Sequence, residues 1–274
     1  MSTGATWSAA FGGASTEAMQ AYDEVLVRRV FEPWARLLTD RLELAPGDAV
    51  LDVACGPGSV SRIAAECVGE GGRVTACDLS SAMLEIARAK PAVEDGAEIE
   101  YVEAPADELP VGACSYDAVT CQQGLQFFPD RPAAVAEMLR TLRPGGRVGI
   151  AVWTEIGRSP AMAAIGNAIE QVAGAELAER YRGGPWGFPD AGPLADLLEQ
   201  AGFRDVRLST HVLPVTYEEG AVQLYRTLAA SGIIAQLGEL GGERRQQLAD
   251  ALTRITGEGR LDSEMESNIA IALR

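Results

Sequence analysis

The sequence predicts a doubly wound α/β fold with a mostly parallel sheet of seven strands. The first observation is the segment 50–59, Val-Leu-Asp-Val-Ala-Cys-Gly-Pro-Gly-Ser, in which an apolar run meets a glycine-rich turn and opens into a helical pattern. The second is that short apolar runs alternate with helical periodicity up to residue 153. That alternation is typical of parallel strands joined by crossover helices.

Two helices are expected before the first strand. Residues 17–44 carry apolar side chains at helical spacing, and Pro33 is tolerable at the start of the second helix. Residues 1–16 are small and polar apart from Trp7 and Phe11. We expect this arm either to fold over a ligand as a lid or to anchor on the domain surface.

Seven strands and their connecting helices follow in order. The pattern predicts strands within 50–54, 73–78, 98–103, 116–121, 147–153, 203–213 and 265–273. Helices are expected after Gly58 and over 82–90, 133–142, 159–178 and 194–201, with two or three more within 217–257. Leu224, Leu228, Ile233 and Leu237 make an apolar stripe in that last region, which we expect to be a lid or a dimer surface.

Composition excludes several classes of protein. A formal charge of −16 disfavours binding to nucleic acid or anionic membranes. No uncharged run is long enough to span a bilayer, and the first residues lack a basic region followed by an apolar core. The five cysteines form no Cys-x-x-Cys pair, and there is one histidine, so no metal is expected. We therefore expect a reduced, cytoplasmic protein.

The glycine-rich turn predicts a cradle for a nucleotide-like ligand. Gly56 and Gly58 let backbone approach a ligand closely at a helix N-terminus. Ser61 stands where a dinucleotide fingerprint requires glycine, and no lysine supports a phosphate loop. Asp52 would repel a pyrophosphate and favour a cation. S-adenosylmethionine meets these requirements, because it is nucleotide-like, carries an ammonium and a sulfonium, and has no phosphate.

The segment 50–59 resembles motif I of class I S-adenosylmethionine-dependent methyltransferases. A longer, collinear match from about Tyr22 to Trp153 resembles the small-molecule branch called type 11, related to ubiquinone/menaquinone-biosynthesis methyltransferases. The resemblance implies a Rossmann-like sheet with an antiparallel last strand, a helical cap over the cofactor and a helical insertion before the last strand. It implies S-adenosylmethionine as cofactor and S-adenosylhomocysteine as product.

The cofactor-binding residues follow from the topology and the resemblance. Asp78 ends the second strand, where a carboxylate lies beside the cradle and accepts hydrogen bonds from both ribose hydroxyls. The resemblance places Tyr22 near the methionine end, and Leu79 and Met83 against adenine. The full set is Tyr22, Asp52, Ala54, Cys55, Gly56, Gly58, Asp78, Leu79, Met83, Ala106, Asp107 and Gln122.

One position departs from the family pattern. Pro105 stands where an aspartate usually accepts from the adenine amino group. Ala106 retains a backbone contact in this interpretation. The amino contact then comes from Asp107, from water, or is missing.

The loop after the fourth strand, residues 122–130, is expected to face the methyl donor. Gln126 stands near the position where relatives often carry histidine, and we predict it as the catalytic, orienting residue. His211, Glu103 or a tyrosine would serve as base only if the fold brings it into the pocket. A polar surface loop is the alternative interpretation.

Four residues are predicted to bind the acceptor: Gln123, Phe127, Trp153 and Trp186. Trp153 either walls the acceptor pocket or covers the core, and Trp186 lies in a glycine-proline loop of the kind that commonly selects substrate. The aromatic residues indicate a small, hydrophobic acceptor.

The sequence therefore predicts an enzyme that transfers a methyl group from S-adenosylmethionine to an oxygen, nitrogen or carbon nucleophile of a small molecule. Two alternatives remain: a protein or cyclase that binds S-adenosylmethionine without methylating, and a nicotinamide dehydrogenase. We expect one domain over 1–274, divided into a cap (1–44), a cofactor-binding core (45–153) and a substrate-side region (154–274) with the insertion 217–257. A homodimer is one expected assembly.

Overall fold

The computed structural model describes residues 19–20, 22–186, 188, 190–230 and 242–274. Its strands form one seven-stranded sheet in the order β3-β2-β1-β4-β5-β7-β6. The strands are β1 (Ala49–Val53), β2 (Arg73–Asp78), β3 (Ile99–Glu103), β4 (Tyr116–Gln122), β5 (Leu142–Trp153), β6 (Arg204–Tyr217) and β7 (Leu261–Leu273).

The predicted fold class is confirmed. Strands β1 to β5 pair in parallel, and β7 lies antiparallel between β5 and β6. All five residues of β1 are buried, as expected for a central parallel strand covered on both faces. The strand order reverses between β1 and β4, which opens a crevice at their carboxyl ends.

Helices cover both faces of the sheet. They are α1 (Asp23–Phe31, wound as a π-helix), α2 (Glu32–Leu42), α3 (Ser59–Val68), α4 (Ser81–Ala89), α5 (Arg131–Thr141), α6 (Pro160–Ala173), α7 (Ala175–Arg182), α8 (Gly192–Ala201), α9 (Ala221–Ala230) and α10 (Gly242–Thr256). Pro33 lies in the first turn of α2, as predicted. Ser80 caps α4, because its hydroxyl accepts from the Met83 N–H.

Two predicted boundaries were wrong. The helix expected over 159–178 is two helices, α6 and α7, because Gly174 has a φ of +94° and interrupts the winding. The last hairpin is longer than predicted, since β6 runs to Tyr217 and pairs with a β7 that starts at Leu261. Pro214 does not end β6, because β6 is an edge strand and tolerates a missing N–H.

The helical insertion packs against the rest of the molecule. Leu224 and Leu228 of α9 are buried in a core cluster with Ile165 of α6 and Leu252 of α10. This half of the predicted stripe therefore faces inward and is not an exposed dimer surface. Ile233, Leu237, Trp7 and Phe11 lie outside the described residues.

In the ranges that the structure describes, no helix is both long and apolar enough to cross a membrane. The same ranges contain no group of three or more His, Cys, Asp or Glu side chains that could hold a metal ion.

Candidate active site

A cavity of about 220 Å³ opens at the carboxyl ends of β1, β2 and β4, where the strand order reverses. Eleven of the twelve residues predicted to bind the cofactor line it: Tyr22, Asp52, Ala54, Cys55, Gly56, Asp78, Leu79, Met83, Ala106, Asp107 and Gln122. Gly58 does not. It precedes α3 with a φ of +86°, and a Cβ there would lie 3.0 Å from the Tyr101 hydroxyl oxygen, so packing beneath the loop requires it.

The loop between β1 and α3 turns sharply into the cavity. Ala54 and Gly56 have φ values of +57° and +54°, in the left-handed region that alanine rarely adopts. The loop after β4, which lies beside β1 in the sheet, also contains a left-handed residue, since Gln123 has a φ of +54°. Gly124 lies against the first loop, where a Cβ would be 2.6 Å from the Ala54 Cβ. Such backbone strain concentrates at functional sites.

Asp52 is held inside the fold by two hydroxyls. Ser61 Oγ donates to Asp52 Oδ2 at 2.6 Å, and Thr120 Oγ1 donates to Asp52 Oδ1 at 2.8 Å. Its side chain is buried on the cavity wall. Burial raises the pKa of Asp52 to about 6 despite these hydrogen bonds. A cationic ligand in the cavity would favour the charged carboxylate.

Asp78 accepts two backbone hydrogen bonds. The Gly56 N–H donates to Oδ2 at 2.7 Å and the Ser80 N–H to Oδ1 at 2.8 Å. The first contact ties the tip of β2 to the glycine-rich loop. Burial raises the pKa of Asp78, with the backbone N–H groups opposing the rise. A carboxylate has further lone pairs, so ribose hydroxyls can still donate to it.

The far wall of the cavity is built by α4 and the segment after β3. Leu79 is 46% exposed, whereas Met83 is buried beside Met19 and Ile86. Pro105 does not push its segment away from the site, because it lines the cavity together with Ala106 and Asp107. A planar apolar group would therefore lie between α4 and this segment.

The charge of the lining fits S-adenosylmethionine. Asp52, Asp78, Asp107 and Asp130 line the cavity, and none of its lining residues in the described part of the chain is lysine, arginine or histidine. An ammonium and a sulfonium are attracted to such a wall, whereas a pyrophosphate is repelled. The Gln122 Oε1 atom is buried without a hydrogen-bond partner among the described residues, and it would receive a donor from the ligand.

A smaller chamber, of about 100 Å³, adjoins the larger cavity. None of its lining residues within the described ranges is charged. Four residues line both spaces: Tyr22, Phe31, Gln123 and Phe127.

Aromatic rings form a continuous wall of this chamber. Tyr22 stacks on Phe31 with ring centroids 5.3 Å apart, and Phe31 lies 6.5 Å from Trp153. Trp153 in turn lies 6.1 Å from Trp186. Trp153 both walls the chamber and packs edge-on against Trp34 of the core at 5.5 Å. The four residues predicted to bind the acceptor, Gln123, Phe127, Trp153 and Trp186, all line the chamber.

The predicted catalytic residue Gln126 is not brought to either cavity. It lies in a short 3₁₀ turn, Leu125–Phe127, with a side chain that is 2% exposed, and it is absent from both sets of lining residues. The turn points neighbouring residues in different directions, so Phe127 reaches the cavities while Gln126 faces the interior. The geometry does not support contact between Gln126 and a substrate.

The predicted bases also lie elsewhere or are unsuited. Neither His211 nor Glu103 lines the cofactor cavity or the chamber, and the His211 Nε2 atom is 2.8 Å from Ser209 Oγ. Tyr22 and Tyr181 line the chamber, but burial raises the pKa of each tyrosine far above its usual range. A tyrosine with a raised pKa stays protonated at neutral pH.

The sequence analysis missed several residues that build the site. Phe31 lines both spaces, Ser61 and Thr120 hold Asp52, and Ser267 of β7 holds Gln123. In the sequence, Ser61 indicates only that the glycine of a dinucleotide fingerprint is missing. Its position on the first turn of α3, nine residues after Asp52, was a usable signal, whereas nothing local links Ser267 to Gln123.

A family model described as the ubiE/COQ5 methyltransferase family matches residues 15–218. The chain belongs to this family. The resemblance drawn from motif I is thereby confirmed, and the match covers 204 of the 274 residues.

Similar proteins agree with this ubiE/COQ5 assignment. The chain is 31% identical over 199 residues to a demethylmenaquinone methyltransferase of Listeria monocytogenes, which covers 69% of this chain and 84% of that protein. A phosphoethanolamine N-methyltransferase of Haemonchus contortus, solved with phosphomonomethylethanolamine and S-adenosylhomocysteine, has a TM-score of 0.58 at 18% identity, covering 94% of this chain and 57% of that one. The cyclase SpnF has a TM-score of 0.54 at 21% identity, covering 89% and 80%.

The ubiE/COQ5 family member described here is an S-adenosylmethionine-dependent methyltransferase that acts on a small molecule. The solved structures share its fold and include both methyltransferases and a cyclase. The fold alone therefore does not determine the acceptor.

Proposed function

We propose that this methyltransferase acts on an uncharged, apolar small molecule that binds in the chamber beside the cofactor cavity. The observation that carries the proposal is the shared wall of Tyr22, Phe31, Gln123 and Phe127 between an acidic cavity and a chamber without charged lining residues in the described ranges. Burying a charged acceptor there would have a large, uncompensated desolvation cost.

The roles that we assign in the cofactor cavity follow from charge and position. Asp78 would accept from the ribose hydroxyls, and Asp52 would stabilise the positive methionine end. Leu79 and Met83 would contact adenine. The predicted contacts of Tyr22, Ala54, Cys55, Gly56, Ala106, Asp107 and Gln122 belong to the same proposal, supported by their place on the cavity wall.

The cofactor supplies an electrophilic methyl group when bound. The protein's own residues would align the two molecules and exclude water, which is most of what this displacement requires. The S–CH₃ bond breaks as the bond to the acceptor's nucleophile forms, and a proton on that nucleophile leaves to solvent. Since no suitable base lines the chamber within the described residues, the acceptor must bring an atom that is already electron-rich.

Demethylmenaquinone is the first acceptor to test, because a curated relative carries that substrate in its name. Labelled S-adenosylmethionine would be incubated with the reduced quinone and with smaller apolar acceptors. We expect labelled product together with an equal amount of S-adenosylhomocysteine. Binding of the cofactor without any methylated product would instead support the cyclase-like alternative.

Calorimetry tests the assigned cofactor residues. We expect Asp78→Asn to weaken S-adenosylhomocysteine binding at least tenfold, because a carboxylate that accepts two ribose hydroxyls is lost. The exposed Asp196→Asn on α8 is a matched control and should bind like the wild type. Unchanged binding by Asp78→Asn would overturn the assignment.

We also propose the division of the chain into a cap (1–44), a core (45–153) and a substrate-side region (154–274), all within a single domain. The absence of a nucleic-acid partner is supported by the charge of −16, and a cytoplasmic location by five cysteines without a Cys-x-x-Cys pair. A homodimer remains a proposal, to be tested by light scattering.

A further inference from the structure

Gln123 stands at the junction between the cofactor cavity and the acceptor chamber. It lines both spaces, and the residue is 6% exposed. Its Nε2 atom donates to Ser267 Oγ at 3.1 Å, while its Oε1 atom has no hydrogen-bond partner among the described residues. A buried polar atom without a partner has a substantial energetic cost unless a ligand supplies one.

Ser267 fixes which end of this amide is free. The Ser267 hydroxyl donates to the backbone carbonyl of Val152 at 2.8 Å, with the Asn268 carbonyl 3.4 Å away as its other acceptor. A hydroxyl has one proton, so Ser267 can only accept from Gln123. The amide must therefore turn its N–H toward Ser267 and keep its oxygen as the unpartnered group.

The backbone of Gln123 is fixed as well. Its N–H donates to the Ala151 carbonyl at 2.8 Å, and its φ of +54° lies in the left-handed region. Three strands thus fix this residue: it directly follows β4, the Ala151 carbonyl of β5 accepts its backbone N–H, and Ser267 of β7 accepts its side-chain N–H. A strained residue that is held from several sides is characteristic of a pre-organised binding group.

We propose that Gln123 Oε1 selects the acceptor by accepting a hydrogen bond from an O–H or N–H group at the end that meets the methyl donor, and that Ser267 is the positioning residue that imposes this polarity. The inference rests on the proposed function, since it assumes that the acceptor occupies the chamber. An amide oxygen is too weak a base to take the proton, so Gln123 orients this group and does not deprotonate it. A methylated product that has lost this O–H or N–H would no longer satisfy the oxygen, which favours product release.

A matched set of probes tests the proposal: 4-ethylphenol, 4-ethylanisole and 4-ethyltoluene, titrated by calorimetry into protein saturated with S-adenosylhomocysteine. We expect the phenol to bind about five- to tenfold more tightly than the other two, the ratio that one hydrogen bond supplies. In Gln123→Met this ratio should fall to about one to two. Equal binding of the three probes to the wild type, or no binding of the phenol, would overturn the inference.

Two further variants separate polarity from packing. Ser267→Ala frees the amide to rotate, so the phenol should lose its advantage over the anisole although Gln123 is intact. Gln200→Met is the control, because Gln200 is exposed on α8 and lines neither the cofactor cavity nor the chamber. It should leave the phenol-to-anisole ratio unchanged. A ratio that survives in Ser267→Ala would show that Ser267 does not set the polarity.

The affinity for S-adenosylhomocysteine separates failure of this inference from failure of the proposed function. If the wild type binds S-adenosylhomocysteine but does not discriminate among the probes, only the role of Gln123 is wrong. If the wild type does not bind S-adenosylhomocysteine, the proposed cofactor site is wrong. The probe ratio, measured on the unliganded protein, then decides the role of Gln123 by itself.

Discussion

Asp52 is a buried carboxylate whose environment opposes its ionisation. Two hydroxyl donors partly compensate for its burial, yet its pKa is raised to about 6. A buried acid of this kind is costly for the fold and useful for binding a cation, because the ligand supplies the missing positive charge. The residue is therefore expected to couple protons both to cofactor binding and to stability.

Binding of S-adenosylmethionine should depend on pH through Asp52. Below pH 6 the carboxyl is protonated, so we expect the affinity to fall by up to about tenfold for each further pH unit. Calorimetry between pH 5 and 7.5, in buffers of different ionisation enthalpy, would also detect a proton released on binding near and below pH 6, and none well above it. Asp52→Asn should bind weakly and without this pH dependence. A flat wild-type profile would contradict the prediction.

The same residue should make the unliganded fold less stable as the pH rises. The folded-state pKa of about 6 lies above the ordinary aspartate value of 3.8, so the native state binds more protons than the unfolded chain between these values. The contribution of Asp52 to the free energy of unfolding therefore falls as the pH rises from about 4 to about 6, by at most about 3 kcal/mol. Urea denaturation across this range should show that the free energy of unfolding of Asp52→Asn increases relative to that of the wild type as the pH rises. A constant difference between the two would argue against the raised pKa.

At the scale of elements, the only lysine of the chain connects the cap to the cofactor loop. Lys90, directly after α4, donates from Nζ to Asp23 Oδ1 at 2.6 Å and to the Pro57 carbonyl at 2.8 Å. The Lys90 and Asp23 side chains are 20% and 23% exposed. The start of α1, with Tyr22 beside it, is thus fixed to the loop that lines the cavity. This partly buried ion pair should hold the cap in place more effectively than a surface pair.

Lys90→Met should loosen the cap. We expect about three- to tenfold weaker S-adenosylhomocysteine binding, equivalent to about 1 kcal/mol, and faster hydrogen exchange over residues 22–31. Arg36→Met is the control, because its ion pair with Glu66 is exposed on both sides and should contribute little. If both variants behave alike, Lys90 does not position α1.

The β1 and β4 loops pack so closely at Gly124 that there is no room for an alanine side chain. In Gly124→Ala the new Cβ would lie 2.6 Å from the Ala54 Cβ, so one loop must move. We expect a loss of S-adenosylhomocysteine affinity of tenfold or more, measured by calorimetry. Gly192→Ala at the start of α8 meets nothing within 4 Å and should bind normally. Wild-type affinity in Gly124→Ala would show that the loops do not form the cofactor wall.

At the scale of the whole molecule, the cofactor cavity and the adjoining chamber are lined by elements from widely separated parts of the chain. The cavity takes residues from the cap, from β1, β2 and β4, and from α4, and the chamber adds α6, α7, α9 and β7. A ligand that binds across these elements can bind only the folded chain. Its binding energy therefore adds to global stability.

Thermal unfolding should measure how much ligand binding stabilises the folded chain. At a concentration of S-adenosylhomocysteine 100 times its Kd, the fold gains about 2.7 kcal/mol. For a chain of this size that gain corresponds to a rise in Tm of about 5–10 °C. NADH should produce no shift, because its pyrophosphate would meet an acidic wall. A rise with NADH and none with S-adenosylhomocysteine would favour a dehydrogenase.

Local patterns in the sequence determined the architecture and most of the cofactor cavity. The strand periodicity, the glycines at 56 and 58 and the acids at 52 and 78 depend on neighbours close along the chain, and parallel strands bring their carboxyl ends to one edge whatever the loops contain. That is why the order of elements was predictable, and why eleven of the twelve residues predicted to bind the cofactor line one cavity. Helix and strand ends were less so, because Gly174 and Pro214 act according to their tertiary surroundings.

Only the tertiary structure decided what each loop side chain faces. Gln123 and Gln126 are both glutamines of the same loop. A 3₁₀ turn buries Gln126, whereas Ser267, which is 144 residues from Gln123, holds Gln123 at the junction of the two cavities. The π-helical α1 brings Phe31 against Tyr22, and Leu224 and Leu228 turn inward against α6. These contacts join residues far apart in sequence, and side-chain direction in a turn has no period, so no local pattern encodes them.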